Sequence, residues 1–291
     1  MNNREKSAKM LRGKVDLFRC PICHQTMNVV EAKSLVCVNR HTFDFAKQGY
    51  VNMLHRPSPQ QYDRELFEAR RRIIVEGELY SSLHKEIAVE IGKCMGKHRN
   101  ATVLFDAGCG EGSHLQILLD ECRDRDITGI GLDISKEGIM MASRKYCDSI
   151  WLVGDLANIP LADHSCHIIL NILSPANYAE FNRILTNEGI VVKIAPRPQY
   201  LKEVREAVFG GTDREKYVND KTISLFRRNF RLIGGFGFKC LVELMREEIF
   251  DLIQMSPLSW SAQKEQIDEF IDRDSIVVTV DLDVLIGAKT A

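Results

Sequence analysis

The sequence predicts an α/β fold with a parallel sheet, preceded by a small metal-binding module. Three observations lead to this prediction. From residue 99 onward, short apolar segments alternate with helical patterns, as in a parallel sheet whose strands are joined by helices. The first apolar segment, residues 101–105, runs into the acidic, glycine-rich turn 106–112. Three cysteines and one histidine fall within residues 20–41 at the spacing of metal ligands.

Size and composition limit the classes of protein to which the chain can belong. Its 291 residues, 45% of them hydrophobic, are enough for one large domain and a small one. There is no run of about eighteen apolar residues and no apolar segment near the start, so we expect neither a membrane span nor a secretory signal. Nine cysteines without such a signal predict free thiols in a reducing cytoplasm.

The net charge of −1 hides an uneven distribution along the chain. Residues 1–56 contain 10 Lys and Arg against 4 Asp and Glu, residues 57–98 contain 7 of each, and residues 99–291 contain 22 against 29. A basic N-terminal segment can contact the phosphates of a nucleic acid. A solvated basic arm is the alternative interpretation.

The Cys/His spacing is that of a structural zinc site. Cys20 and Cys23 form a Cys-x-x-Cys turn, Cys37 follows after 13 residues, and His41 follows after three more. Three thiolates and one imidazole complete a tetrahedral Zn²⁺ shell and leave no open position. A thioredoxin-like redox pair at Cys20 and Cys23 is the alternative, but it does not account for the other two ligands. We expect His24 to lie at the surface.

Short apolar segments at residues 26–30 and 34–36 predict the strands of a zinc ribbon. A module of about forty residues cannot bury enough apolar surface to fold alone, so metal binding is expected to supply its folding free energy. Phe43, Phe45 and Tyr50 follow among cations. These aromatic side chains can stack on unpaired bases. The alternative is that Phe43 and Phe45 form the small core of the ribbon.

Residues 55–61 form a proline-marked linker to the helical patterns that follow. Apolar residues recur on one helix face over residues 66–74, and a second helix is predicted from Ser81 toward Cys94. Three consecutive arginines at 70–72 lie in the first of these helices. They are either a solvated face or a path for nucleic-acid phosphates.

The large domain is predicted to contain five parallel strands and a C-terminal antiparallel pair. The parallel strands are residues 102–106, 127–133, 150–153, 166–173 and 189–195. The antiparallel pair is 236–245 and 275–286, with helices at 246–255 and 263–271 between them. Ligands of parallel sheets bind beyond the carboxyl ends of the strands.

The turn after the first strand favours S-adenosylmethionine as the ligand of this edge. Asp106 precedes Gly108, Gly110 and Gly112, a pattern that differs from the Gly-x-Gly-x-x-Gly turn of nicotinamide-binding proteins. Glycines permit a tight turn and the close approach of a ligand. A pyrophosphate needs bare N–H groups, whereas a ligand with an ammonium and a sulfonium also needs a carboxylate, which Asp106 can supply.

Two more acids follow the next strands of the predicted sheet. Asp133 ends the second strand and can accept hydrogen bonds from ribose hydroxyls. Asp155 follows the third and can accept from the adenine amino group, with the Leu156 backbone at the ring edge. Helix capping is the alternative for any single strand-end acid. Three such acids in succession, with Asp106 balancing the methionine ammonium, favour the methyl donor.

Together these features resemble the RlmA-type 23S rRNA (guanine-N1) methyltransferases, including their tylosin-resistance branch. The resemblance covers nearly the whole chain. It is carried by the Cys/His string 20–41, by Phe-Asp-x-Ala-Lys-x-Gly-Tyr-Val-Asn at 43–52, by Glu-Ala-Arg-Arg at 68–71 and by the turn 106–112. It implies a Rossmann-like class I SAM-dependent methyltransferase with a small N-terminal zinc-ribbon domain, which uses S-adenosyl-L-methionine and a structural Zn²⁺.

The resemblance also implies a division of labour along the chain. Residues 1–56 would be a zinc-binding domain that recognises a hairpin of 23S rRNA, and residues 57–98 a linker with helices. Residues 99–291 would be the methyltransferase domain that methylates N1 of one guanine. Relatives of this kind are often homodimers, so a homodimer is implied here.

Further contacts to the methyl donor are implied by the resemblance alone. They involve Tyr80, Gly112 with Ser113, and Tyr200, which stands where relatives can carry histidine. For Tyr80, a role in packing is the alternative.

No residue stands out as the general base that would remove the N1 proton of guanine. Asn171, Ser174 and Arg197 are candidates for holding the edge of the base, and ordinary loop hydrogen bonding is the alternative for each. N1 is occupied in a paired guanine, so the target base must be unpaired or flipped out.

Two other functions are compatible with the sequence. One is a SAM-dependent methyltransferase for a small molecule, with the ribbon as a lid or dimer contact. The other is a non-catalytic RNA-binding factor for ribosome assembly that keeps S-adenosylmethionine as a structural ligand. The basic first segment argues against the small-molecule enzyme.

Overall fold

The computed structural model of the chain describes residues 1–54, 62–95, 101–210, 212, 217–256, 258 and 263–290. The predicted linker 55–61 lies outside these residues, as do the two predicted domain boundaries. The elements are described below from the N-terminus.

Helix α1 and a three-stranded antiparallel sheet open the chain. Helix α1 spans Asn3–Arg12, and the strands are β1 (Met27–Val30), β2 (Ser34–Cys37) and β3 (Thr42–Asp44), paired in that order. The first two strands confirm the predicted ribbon. The α1 helix was not predicted; Ala8 and Leu11 bury its inner face, so the basic segment is not merely a solvated arm.

Phe43, Phe45 and Tyr50 are buried, with exposed fractions of 7%, 2% and 6%. They belong to the core of the protein and are not available for stacking on bases. Phe43 lies between the exposed Thr42 and Asp44, as expected for a strand with one buried face.

In the described part of the chain, the large sheet has eight strands in the order β10-β11-β9-β8-β5-β6-β7-β4. Their bounds are β4 Val51–Asn52, β5 Thr102–Ala107, β6 Ile127–Asp133, β7 Ile150–Val153, β8 Cys166–Ile172, β9 Leu185–Pro196, β10 Phe230–Met245 and β11 Ser275–Lys289. All pairs from β4 to β9 are parallel, and β11 is antiparallel to both of its neighbours. The predicted parallel sheet with a C-terminal antiparallel pair is therefore confirmed.

The strand order reverses on either side of β5, which pairs with β6 on one side and with β8 on the other. Such a switch point opens a crevice beyond the carboxyl ends of the strands. Every residue of β5 is buried because helices cover both faces of the sheet.

Helices flank the sheet, and two of them lie between the last two strands in the chain. They are α2 (Arg64–Arg71), α3 (Ser81–Met95), α4 (Ser113–Glu121), α5 (Lys136–Lys145), α6 (Tyr178–Ile184), α7 (Lys202–Phe209), α8 (Asp220–Asn229), α9 (Arg246–Met255) and α10 (Lys264–Ile271). Helix α2 continues into a π-helical turn over Arg72–Glu76. Across the described residues, we find no helix with the length and apolar character that crossing a membrane requires.

The ribbon is joined to the large sheet by backbone pairing. Strand β4 lies parallel to β7, and the Met53 amide donates to the Val153 carbonyl at 2.8 Å. The Arg19 amide donates to the Pro160 carbonyl at 3.2 Å, and the side chain of Phe18, at 2% exposure, lies in the same apolar core as Leu152. The N-terminal segment is thus held by the sheet that carries the candidate active site.

We expect Gly131→Ala to destabilise the fold, because a Cβ at this position of β6 would overlap the buried Trp151 ring. Overpacking of this kind costs about 1–3 kcal/mol. Gly234→Ala is the matched control in β10, since the atom nearest to its Cβ would be 3.8 Å away. Urea unfolding of both variants measures the difference, and equal midpoints would contradict the packing described.

Candidate active site and metal centre

Three carboxylates meet at the carboxyl edge of the sheet and surround one guanidinium. Asp106 is the penultimate residue of β5, Glu111 lies in the turn that follows, and Asp133 ends β6. Helix α2 places Arg70 among them, with Nε 3.0 Å from Oε2 of Glu111. We call these four residues the acid cradle.

The glycine turn beneath the cradle has the left-handed backbone that only glycine adopts without strain. Gly108, Gly110 and Gly112 have φ angles of 80°, 57° and 83°. The space left by the absent side chains is filled by the protein. A Cβ on Gly110 would meet the Arg70 guanidinium at 3.4 Å, and a Cβ on Gly112 would meet the Trp151 ring at 2.5 Å. The glycines are therefore needed for turn geometry and packing. Two of their amides donate to backbone carbonyls, Gly108 to Leu132 at 2.9 Å and Gly112 to Cys109 at 3.0 Å.

Asp133 closes the turn by accepting two backbone hydrogen bonds. Its Oδ2 accepts from the Gly110 amide at 2.9 Å and its Oδ1 from the Ser135 amide at 2.8 Å. Each carboxylate oxygen retains a second lone pair that can accept from a ligand hydroxyl. Burial raises the pKa of Asp133, while the two amides oppose the rise.

Asp106 is the cradle residue that most needs a ligand. Its side chain is 1% exposed, and neither carboxylate oxygen accepts a hydrogen bond from the described residues. Burial raises the pKa of Asp106 to about 7; Arg70 opposes the rise, while Asp133 and Glu111 add to it. A buried carboxylate without a partner is costly, and a ligand ammonium would satisfy it. The donor set therefore fits the methionine end of S-adenosylmethionine.

Tyr80 and Tyr200, both predicted from the family resemblance, are brought together. Their hydroxyl oxygens lie 2.6 Å apart, although 120 residues separate them in the chain. Beneath Tyr80 lie two buried imidazoles, with His84 Nε2 2.7 Å from His114 Nδ1. Burial lowers the pKa of His84 to about 4 and that of His114 well below its ordinary value, so both rings are neutral at pH 7.

Three other predicted residues lie outside the cradle. Asp155 is exposed, and its Oδ1 accepts from the Ala157 amide at 2.8 Å. Leu156 is half-buried beside the glycine turn. The Ser113 hydroxyl lies 3.0 Å from the Tyr146 hydroxyl, so the side chain of Ser113 is occupied away from the acids.

The loop after β8 is held together by its own hydrogen bonds. Asn171 Nδ2 donates to the Ala107 carbonyl at 2.9 Å and to Ser174 Oγ at 2.6 Å. The buried Lys193 donates to Asn171 Oδ1 at 2.6 Å and to the Ser174 carbonyl at 2.7 Å, and burial lowers its pKa to about 8. The Asn171 amide is therefore engaged within the loop, which favours the structural alternative for this residue.

The remaining candidate cations are also engaged, which limits their use for phosphates or for the base. Each is paired with a carboxylate: Arg71 with Glu76, Arg72 with Asp251, and Arg197 with Asp281. The triplet 70–72 is thus neither a bare solvated face nor an open phosphate track. Its first member belongs to the cradle, and sequence analysis missed that role.

The four predicted zinc ligands converge. The ligand atoms of Cys20, Cys23, Cys37 and His41 all lie within 4.8 Å of one another. Cys23 Sγ is 3.7 Å from Cys37 Sγ, and His41 Nδ1 is 3.5 Å from Cys20 Sγ and 3.4 Å from Cys37 Sγ. Zn–S and Zn–N bonds of about 2.3 and 2.0 Å in a tetrahedron give edges of about 3.8 and 3.5 Å. The cluster therefore fits a structural zinc ion.

Backbone amides support this cluster from both knuckles. The Ile22 amide points at Cys20 Sγ at 3.4 Å, and the His41 amide at Cys37 Sγ at 3.3 Å. His24, in a left-handed conformation after the first knuckle, is exposed, as predicted.

The fold and the two sites together define a SAM-dependent methyltransferase that carries a zinc ribbon. Residues 18–58 match the family described as RlmA, N-terminal, and residues 105–192 match a methyltransferase domain. A Bacillus subtilis (strain 168) protein, YxjB, is 40% identical over 275 residues, 94% of this chain and 97% of that protein. It is named as a 23S rRNA (guanine-N(1)-)-methyltransferase. The chain therefore belongs to the family of 23S rRNA (guanine-N1)-methyltransferases.

More distant relatives were also found. A Streptomyces fradiae protein named 23S rRNA (guanine(748)-N(1))-methyltransferase is 28% identical over 259 residues, 89% of this chain and 91% of that protein. A SAM-dependent methyltransferase from Geobacter sulfurreducens, solved in complex with S-adenosyl-L-homocysteine, aligns with a TM-score of 0.42 at 13% identity, covering 70% of this chain and 91% of that one.

We expect the purified protein to contain close to one zinc ion per chain and Cys37→Ser to lose most of it, because three ligands bind zinc far more weakly than four. Elemental analysis measures the metal content. Cys147→Ser, a cysteine outside the cluster, is the control. A Cys37→Ser variant that retained a full equivalent of zinc would contradict the assignment.

We expect the affinity for S-adenosylhomocysteine to depend on the ionisation of Asp106. Its pKa of about 7 means that the carboxylate becomes protonated as the pH falls below this value and can no longer pair with an ammonium. Affinity should be level above pH 8 and fall by about tenfold per unit below pH 6. Calorimetry across this range tests the slope, and an identical slope in Asp106→Asn would contradict it.

Proposed function

We propose that the chain transfers a methyl group from S-adenosyl-L-methionine to N1 of a guanine in a hairpin of 23S rRNA. The observation that carries this proposal is the alignment with 23S rRNA methyltransferases along nearly the whole chain, at 40% identity to YxjB. The geometry supports it, because the acid cradle and the Cys/His cluster belong to one packed unit.

The donor would be held by the residues predicted from the sequence. These are Tyr80, Asp106, Gly108, Gly110, Gly112, Ser113, Asp133, Asp155, Leu156 and Tyr200. Asp106 would pair with the ammonium and Asp133 with the ribose hydroxyls, while the Gly108–Gly112 backbone supports the middle of the ligand. S-adenosylmethionine, when bound, supplies a methyl group already activated by its sulfonium. Positioning by the protein would then provide much of the rate.

Cys20, Cys23, Cys37 and His41 would bind the structural zinc. We also propose that residues 1–56 are the RNA-recognition domain, residues 57–98 a linker with helices, and residues 99–291 the methyltransferase domain. The excess of six positive charges in residues 1–56 supports contact with phosphates. Strand β4 shows that this first segment also completes the edge of the large sheet.

The substrate guanine would enter at the carboxyl edge, beside the loop after β8. Lys193 lies beneath this loop and fixes it through Asn171 and the Ser174 carbonyl. A rigid loop favours one orientation of the flipped base relative to the donor.

Tritium transfer from labelled S-adenosylmethionine tests the proposal. We expect label on a naked 23S rRNA fragment and a primer-extension stop at one guanine. Label in a small-molecule extract alone would favour a small-molecule methyltransferase, and binding of RNA without transfer would favour an assembly factor. Arg71→Ala serves as a control because it lies outside the cradle.

Two further points stay predictions. A homodimer is implied by the family resemblance, and measurement of the mass in solution checks it. A cytoplasmic location is predicted from the cysteines.

A further inference from the structure

We propose that Arg70 binds the carboxylate of the donor's methionine moiety. This inference rests on the proposed function, because it concerns the ligand of the same cradle. It adds Arg70 to the residues that bind the methyl donor, a role that neither the glycine turn nor the strand-end acids indicated.

The chemistry of the ligand demands a cation at this place. The methionine end carries an ammonium and a carboxylate on the same carbon atom. A cradle with Asp106, Glu111 and Asp133 attracts the ammonium but repels the carboxylate. Among the described residues, Arg70 is the cation that lies within the field of all three acids.

The position of Arg70 suits such a contact. Its guanidinium lies over the bare backbone of Gly110, at 3.4 Å from where a Cβ would stand, and its side chain is 25% exposed. The ion pair with Glu111 uses Nε. In the described part of the chain, neither terminal nitrogen donates a hydrogen bond to the protein. Two parallel N–H groups are thus available for the bidentate geometry that arginine forms with carboxylates.

Arg70 carries its positive charge in the absence of a ligand. Burial alone lowers its pKa, but Glu111, Asp133 and Asp106 raise it by more. Glu111 is fully buried and would be left unpaired without this guanidinium. Arg70 therefore has two roles: it neutralises one cradle acid and presents its free edge to the ligand.

The helix that carries Arg70 is fixed at both sides. Phe67, one turn earlier, packs on Gly110, because a Cβ added to this glycine would lie 3.4 Å from the Phe67 ring. Arg72 anchors the following turn to Asp251 of α9 through two hydrogen bonds of 2.8 and 2.6 Å. A guanidinium on a clamped helix is preorganised for binding, so little ordering is needed when the ligand enters.

The affinities of three ligands distinguish the contact of Arg70 with the carboxylate from the other contacts of the site. The ligands are S-adenosylhomocysteine, its decarboxylated analogue, and methylthioadenosine, which lacks the amino-acid moiety. We expect the wild-type protein to prefer S-adenosylhomocysteine over the decarboxylated analogue by about 10- to 100-fold. Arg70→Met should abolish this preference and leave the affinity for methylthioadenosine within about threefold. Arg71→Met, on the neighbouring residue, should keep the wild-type preference. Calorimetry measures all three affinities.

An Arg70→Met variant that keeps the preference would overturn the inference. If this variant fails to fold because Glu111 is left unpaired, the double variant Arg70→Met/Glu111→Gln removes both charges, and the same loss of preference is expected. Zinc content and the thermal unfolding midpoint verify its folding. A wild-type protein that binds none of the three ligands would instead refute the proposed function, so the two failures are distinguishable.

Discussion

The burial of negative charge at one edge of the sheet is the constraint on which the rest of the structure depends. Asp106 and Glu111 are almost completely buried, and the guanidinium of Arg70, on helix α2, lies near both. Buried charges destabilise a fold unless they are paired and hydrogen-bonded. Helix α2 brings Arg70 to these acids, and Arg72 anchors the following turn to Asp251 of α9.

The zinc ribbon and the large domain are parts of one packed body. A ribbon joined to the large domain only by a linker could move freely, but β4 adds the ribbon segment to the edge of the parallel sheet. Phe18 and Leu161 form a further backbone bridge between the two parts. The Cys/His cluster is therefore held at a fixed distance from the crevice beyond β5.

Much of this arrangement could be predicted from the sequence. The spacing of Cys20 to His41 is a local signal, and these four side chains converge as predicted. Of the three strand-end acids, Asp106 and Asp133 are brought together, whereas Asp155 lies exposed outside the cradle. Arg70 shows where local signals fail. It lies three residues after Phe67 and three before Ile73, so helical phase places it on the buried face, but an arginine is expected in solvent.

The two-residue strand β4 is another case, because Val51 and Asn52 pair with Leu152 and Val153, which lie far away in the chain. The same holds for the glycines. Their spacing indicated a turn, but only the three-dimensional structure shows that Trp151 and Arg70 occupy the space beside Gly112 and Gly110. Contacts of this kind join residues that are far apart in the chain, so they produce no periodic pattern in the sequence.

The first zinc knuckle touches the loop after β7. Asn158 Nδ2 donates to the Pro21 carbonyl at 2.7 Å, and Asn158 follows Asp155 by only three residues. Pro21 stands between two of the four converging ligands, so the shape of the knuckle and the path of this loop are mechanically linked. Loss of the metal would thus disturb the loop after β7, whose Leu156 lies beside the glycine turn, as well as the ribbon itself, and oxidation of the thiols would act on both at once.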